Sequence, residues 1–88
     1  MSQEIQKVRE ERKNKGDFRL SYAYRGNVSR TVGDVIGLME QVRKDFPGVS
    51  ANEIEIDTFK GIDCGVLLSF TAKEIPKSVH FQKELKMF

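Results

Sequence analysis

The chain has 88 residues, of which 39% are hydrophobic and 32% are charged, and its net charge is +2. This length supports one hydrophobic core rather than two domains, and the composition lies outside the range of disordered chains. The single cysteine excludes an internal disulfide, and the lack of a signal-peptide layout or of about 20 consecutive apolar residues predicts a cytoplasmic protein without membrane contact.

The whole basic excess lies in residues 1–16, which carry five basic and three acidic side chains. The segment contains good helix formers and no proline, and Gly16 stands where a helix would end. This pattern predicts a charged N-terminal helix or arm over residues 1–16, beside a compact α/β domain over residues 17–88. Ile5 and Val8 are the interior apolar anchors of this segment. With so few anchors, we expect it to dock lightly on the domain or to be completed by a partner.

A strand and a helix are predicted next. Apolar and polar residues alternate from Asp17 onward, which is typical of a strand with one buried face. Thr31 and Asp34 then approximate a capping box, and Pro47 with Gly48 ends the helix. The expected apolar stripe of this helix consists of Val32, Val35, Ile36, Met39, Val42 and Phe46.

Two further strands are predicted over residues 53–59 and 64–71, joined as a hairpin. Residues 77–88 fit either a short helix or a fourth strand, and we favour the helix. The predicted fold class is therefore α+β, in the order α-β-α-β-β-(α or β), with a three- or four-stranded mixed sheet. A right-handed crossover makes the first two strands parallel, and the main helix covers one face of the sheet.

The other face of the predicted sheet carries charges of both signs. Its members are Arg19, Ser21, Arg25, Glu53, Glu55, Asp57, Leu67 and Ser69. We expect the two arginines to pair with the acidic row across the strands. A sheet that reads RNA by stacking displays aromatic residues instead, so this face does not indicate RNA binding.

The segment from Arg25 to Gly33 joins a strand to the start of a helix. Free backbone N–H groups at such a position favour an anion, and Arg25 and Arg30 flank it. Together with Arg12, Lys13 and Lys15, these arginines form a candidate site for phosphate or nucleic acid. The alternative interpretation is an ordinary polar loop with a capped helix.

Gly33 and Gly37 lie four residues apart, on the side of the helix opposite its predicted stripe. An exposed helical glycine costs up to about 1 kcal/mol relative to alanine. We therefore predict a groove that admits close approach by a partner helix, the N-terminal helix or a second copy. The alternative is that the protein tolerates the cost.

Catalytic and metal-binding motifs are not apparent. Cys64 falls on the core face of a strand, where a free cysteine usually packs as a small apolar residue. His80 is the only histidine, and one cysteine with one histidine is too few for a zinc site within one chain. We expect no catalytic residues, no metal and no cofactor.

The sequence therefore favours a non-enzymatic interaction protein of the regulator or inhibitor type, comparable in kind to the accessory proteins of phages and mobile elements. It is expected to dock on a macromolecular partner, either another protein or itself as a homo-oligomer, with Ile5, Val8, Gly33 and Gly37 at the interface. The alternative is a protein that contacts RNA or DNA phosphates through the basic N-terminal segment and the loop from Arg25 to Arg30.

Overall fold

The protein is described here by a computed structural model that covers residues 4–12, 16–24, 31–58 and 65–87. The elements in chain order are β1 (Ile5–Arg12), β2 (Asp17–Tyr24), α1 (Val32–Asp45), a short 3-10 helix (Ala51–Glu53), β3 (Glu55–Thr58), β4 (Val66–Ala72) and β5 (Lys83–Met87).

One sheet contains all five of these strands, in the order β3-β4-β2-β1-β5. The first four form an antiparallel unit, and β5 is added parallel to β1. The α+β class and the helix on one face are thus confirmed, whereas the predicted element order and strand number are wrong. β2 and β3 run in the same direction, as the crossover predicts, but β4 lies between them.

The predicted N-terminal helix is wrong, because residues 5–12 form β1. This strand pairs with β2 on one side and with β5 on the other, so most of its backbone hydrogen bonds are made within the sheet. Helix propensity is a weak prior that tertiary pairing overrides. Gly16 has a positive φ of 62° and lies at the turn into β2, so it belongs to a hairpin rather than to a helix end.

The preference for a C-terminal helix is also wrong. β5 begins at Lys83, which lies opposite Val8, and ends at Met87, which lies opposite Arg12. The segment before it runs over the helix-bearing side of the sheet, where Val79 is buried and Phe81 is half-buried against the core. The apolar spacing that favoured a helix combines Phe81, in the loop before β5, with Leu85 of β5 and with Phe88, which lies outside the described residues.

The main helix begins and ends where the sequence predicts. Thr31 is its N-cap, and the reciprocal hydrogen bonds of a capping box join Thr31 and Asp34. The predicted apolar stripe is confirmed at Val42 and Phe46, which are buried, and at Val35 and Met39, which pack against the core, but it is wrong at its other two positions. Leu38 is fully buried, whereas Val32 and Ile36 are 76% and 51% exposed.

The core lies between α1 and the central strands. Its fully buried side chains are Leu20, Tyr22, Leu38, Val42, Leu68 and Phe70. The Phe70 ring packs at 5.1 Å from Phe46 and at 5.8 Å from Tyr22. Offset and edge-on contacts of this kind stabilise a core beyond simple area burial.

Arg9 covers the part of the helix-bearing face that α1 does not reach. The Arg9 guanidinium lies 5.3 Å from the Phe18 ring and 6.0 Å from the Phe81 ring. Its Nη2 also contacts Glu84 Oε1 at 2.6 Å, which ties β1 to β5. The helix-bearing face is thus closed by α1 on one half and by cation–π contacts on the other.

Candidate docking surface

The strand register divides the side chains between two faces of the sheet, because residues directly opposite each other point to the same side. Leu20 and Tyr22 of β2 define the face that carries α1. We call the opposite side the open face. Its described members are Gln6, Val8, Glu10, Asp17, Arg19, Ser21, Ala23, Glu55, Asp57, Leu67, Ser69 and Thr71.

Small side chains occupy the centre of the open face. One row crosses four strands, with Val8 opposite Ser21, Ser21 opposite Ser69, and Ser69 opposite Glu55. Ala23 and Ser69 are only 5% and 4% exposed. Neighbouring parts of the chain therefore already cover Ala23 and Ser69, and the half-buried Val8 and Ser21 are the small side chains of the centre that remain partly accessible.

Within the described ranges, no segment outside the sheet packs buried side chains against the open face. The buried cluster and the half-buried residues around it belong, within the described ranges, to the helix-bearing side. A five-stranded sheet with one helix has too few elements to cover both of its faces. The open face is thus the largest regular surface that the described part of the chain leaves without a packed layer.

The charges of the open face are arranged across strands. Arg19 Nη2 lies 3.2 Å from Glu55 Oε2, and Arg19 Nη1 contacts Thr71 Oγ1 at 3.4 Å. The predicted pairing of Arg19 with the acidic row is confirmed, although it spans β4 rather than joining neighbouring strands. Glu10 lies directly opposite Arg19 on the other side.

On the helix-bearing face, a polar cluster surrounds Asp45 at the end of α1. Asp45 Oδ2 accepts hydrogen bonds of 2.6 Å from both Lys7 Nζ and Tyr22 Oη, and Asp45 Oδ1 accepts one of 3.1 Å from Gln41 Nε2. The Lys7 and Asp45 side chains are 15% and 12% exposed. Lys7 Nζ also lies 5.3 Å from the centre of the Tyr22 ring.

The pKa values in this cluster follow from its geometry. Burial alone raises the pKa of Asp45, but hydrogen bonds from Lys7, Tyr22 and Gln41, together with the Lys7 charge, hold it below its usual value. Burial, and then the bond to the Asp45 carboxylate, raise the pKa of Tyr22 far above its usual value. Tyr22 therefore remains protonated and acts only as a hydrogen-bond donor. The cluster is an internal clamp between β1, β2 and α1.

A shallow cleft of about 340 Å³ lies beside the clamp, between the segment that follows α1 and the segment that follows β4. Its lining residues are Asp45, Phe46, Pro47, Gly48, Val49, Glu74, Ile75 and Pro76. The walls are mainly apolar. The Asp45 carboxylate at its edge is already bonded to three donors, so it offers a ligand little free hydrogen-bonding capacity.

The four residues predicted at a partner interface do not come together. Ile5 packs against the core on the helix-bearing face, whereas Val8 is three residues further along β1 and points to the open face. Gly33 is exposed in the first turn of α1. Gly37 faces the sheet, where an added Cβ would overlap the Tyr24 hydroxyl. The predicted outward groove at Gly37 is therefore wrong, because Tyr24 of the same chain fills that space.

The basic residues predicted for phosphate binding fall mostly beyond the described ranges. Lys13, Lys15, Arg25 and Arg30 lie outside them, and Arg12 is the last residue of β1. At the helix start, the Thr31 N–H donates to Asp34 and the Asp34 N–H donates to Thr31. These two donors are therefore already occupied, and the nearby carboxylate opposes an anion.

The candidate residues for chemistry are dispersed. Cys64 lies outside the described residues, and His80 is exposed in the loop before β5. Among the described residues, no group of three metal-ligating side chains comes together. No helix in the described part of the chain is long and apolar enough to cross a membrane.

The clamp and the open face are the features that the sequence did not predict in full. Lys7 was assigned to a helix, which removed the possibility of placing it opposite Tyr22. The alternation of Ile5, Lys7 and Arg9 with polar neighbours was the available signal, but charge on both sides of the strand obscures it. The chain matches no protein-family model, no curated protein and no solved structure.

Proposed function

We propose that this chain is a non-enzymatic interaction protein that docks on a macromolecular partner through the open face of its sheet. The observation that carries the proposal is that the described residues pack a second layer on one side of the sheet only, while the centre of the other side is built from small, uncharged side chains. Surfaces of this kind allow close shape complementarity with a partner.

The composition of the open face supports protein recognition more than phosphate binding. The half-buried Val8 and Leu67 supply apolar contact, and the half-buried Ser21 supplies a hydrogen-bonding group between them. Its described charges include carboxylates as well as Arg19, so it is not the uniformly basic surface that phosphate contacts require. A polar and charged rim around a less charged centre resembles the core-and-rim anatomy of protein interfaces.

The exposed apolar residues outside this face are a weaker candidate. Val32 and Ile36 lie on α1, and Ile56 lies on the short edge strand β3, on the helix-bearing side. Single exposed apolar side chains are common on protein surfaces and do not by themselves mark an interface. These residues therefore provide matched controls.

The test is affinity capture with three forms of the full chain: wild type, Ser21→Arg and Ile36→Arg. Ser21→Arg places a long charged side chain at the centre of the open face, whereas Ile36→Arg makes the same addition on the helix surface. We expect specific partners, identified by mass spectrometry, to be retained by wild type and Ile36→Arg and to be lost by Ser21→Arg. Capture that is unchanged by Ser21→Arg, or that consists only of salt-sensitive nucleic acid, contradicts the proposal.

A further inference from the structure

We draw no further inference here: the strongest candidate, the shallow apolar cleft between the segments that follow α1 and β4, carries nothing because the exposed Lys44, Lys73 and Lys77 adjoin the lining segments that bear its two carboxylates, so neither charge nor shape shows what would occupy it.

Discussion

Asp45 has the highest concentration of polar contacts among the described residues. Its carboxylate joins Lys7 of β1, Tyr22 of β2 and Gln41 of α1, so one side chain links three elements. Breaking a largely buried ion pair from one side leaves the other charge without compensation. The clamp is therefore expected to matter for stability, in contrast to the exposed pair between Arg19 and Glu55.

We expect Asp45→Asn to lower the free energy of unfolding at neutral pH by about 2–3 kcal/mol, because Lys7 then lacks its counter-charge. Folding lowers the pKa of Asp45 from its ordinary value of 3.8. Its contribution is therefore fully present above that pH and is lost as the pH falls through the lower, folded pKa. Denaturant unfolding at about pH 7, 5 and 3 measures the difference between the two proteins at each pH.

The matched control for the clamp is Glu55→Gln, which removes an exposed carboxylate and should change stability by no more than about 0.5 kcal/mol. A difference between wild type and Asp45→Asn that stays constant down to the lowest pH contradicts the assignment of the effect to the carboxylate charge.

At the scale of elements, the packing of α1 on the sheet depends on a glycine that the sequence pattern placed on the wrong side. The Tyr24 side chain of β2 reaches α1 at Gly37 and fills the volume that a Cβ would need. Glycine at this position permits close approach, rather than marking an exposed groove. The Tyr24 hydroxyl lies near Asp34 and Glu40, whose charges add to burial in raising its pKa.

This contact predicts a coupled effect on stability. Gly37→Ala alone should destabilise the protein by about 1 kcal/mol, because overlap with the Tyr24 hydroxyl outweighs the better helix propensity of alanine. In a Tyr24→Phe background the hydroxyl is absent, so Gly37→Ala should instead stabilise by about 0.5–1 kcal/mol. A double-mutant cycle of denaturant unfolding measures this coupling. Equal effects of Gly37→Ala in both backgrounds would show that the contact is unimportant.

Short-range sequence signals correctly predicted β2 and α1, which lie in the middle of the chain. The capping box at Thr31 and the stop at Pro47 depend on short-range chemistry, and the alternation in β2 reports a sheet with one buried face. The identity of β1 and β5 was not predictable in this way. β5 pairs with β1 across about 75 residues of sequence, and the hydrogen bond from Lys7 to Gln82 next to β5 spans the same distance. β1 also pairs locally with β2, but charged side chains on both of its faces hide the alternation.

Two members of the predicted apolar stripe of α1 were wrong for a related reason. Val32 and Ile36 satisfy a helical spacing, but Leu38 and Val42 are the residues that meet the sheet. The periodicity of apolar residues identifies an amphipathic helix. When two apolar stripes overlap, however, only the surface against which the helix packs decides which of them is buried. The sequence correctly placed Arg19, Ser21 and Glu55 on the same face of the sheet. It did not predict β1 and β5, which extend that face beyond β2.

At the scale of the whole molecule, the described chain is a sheet with one packed side and one open side. The packed side holds the core, the clamp and the cation–π contacts of Arg9. The open side holds small central residues and, on the edge strand β3, the exposed carboxylates Glu55 and Asp57. Among the described residues a single helix covers one side of the sheet, and the proposed association with a partner would cover the other.

The most direct measurement is a methyl NMR spectrum of the protein recorded on dilution and, separately, on addition of any captured partner. The methyl signals of Val8, Ala23 and Leu67 report on the open face, and those of Val32, Ile36 and Ile56 report on the other exposed apolar positions. The account predicts that only the first group shifts on association. Shifts confined to the second group would contradict it, because association would then occur on the helix-bearing side.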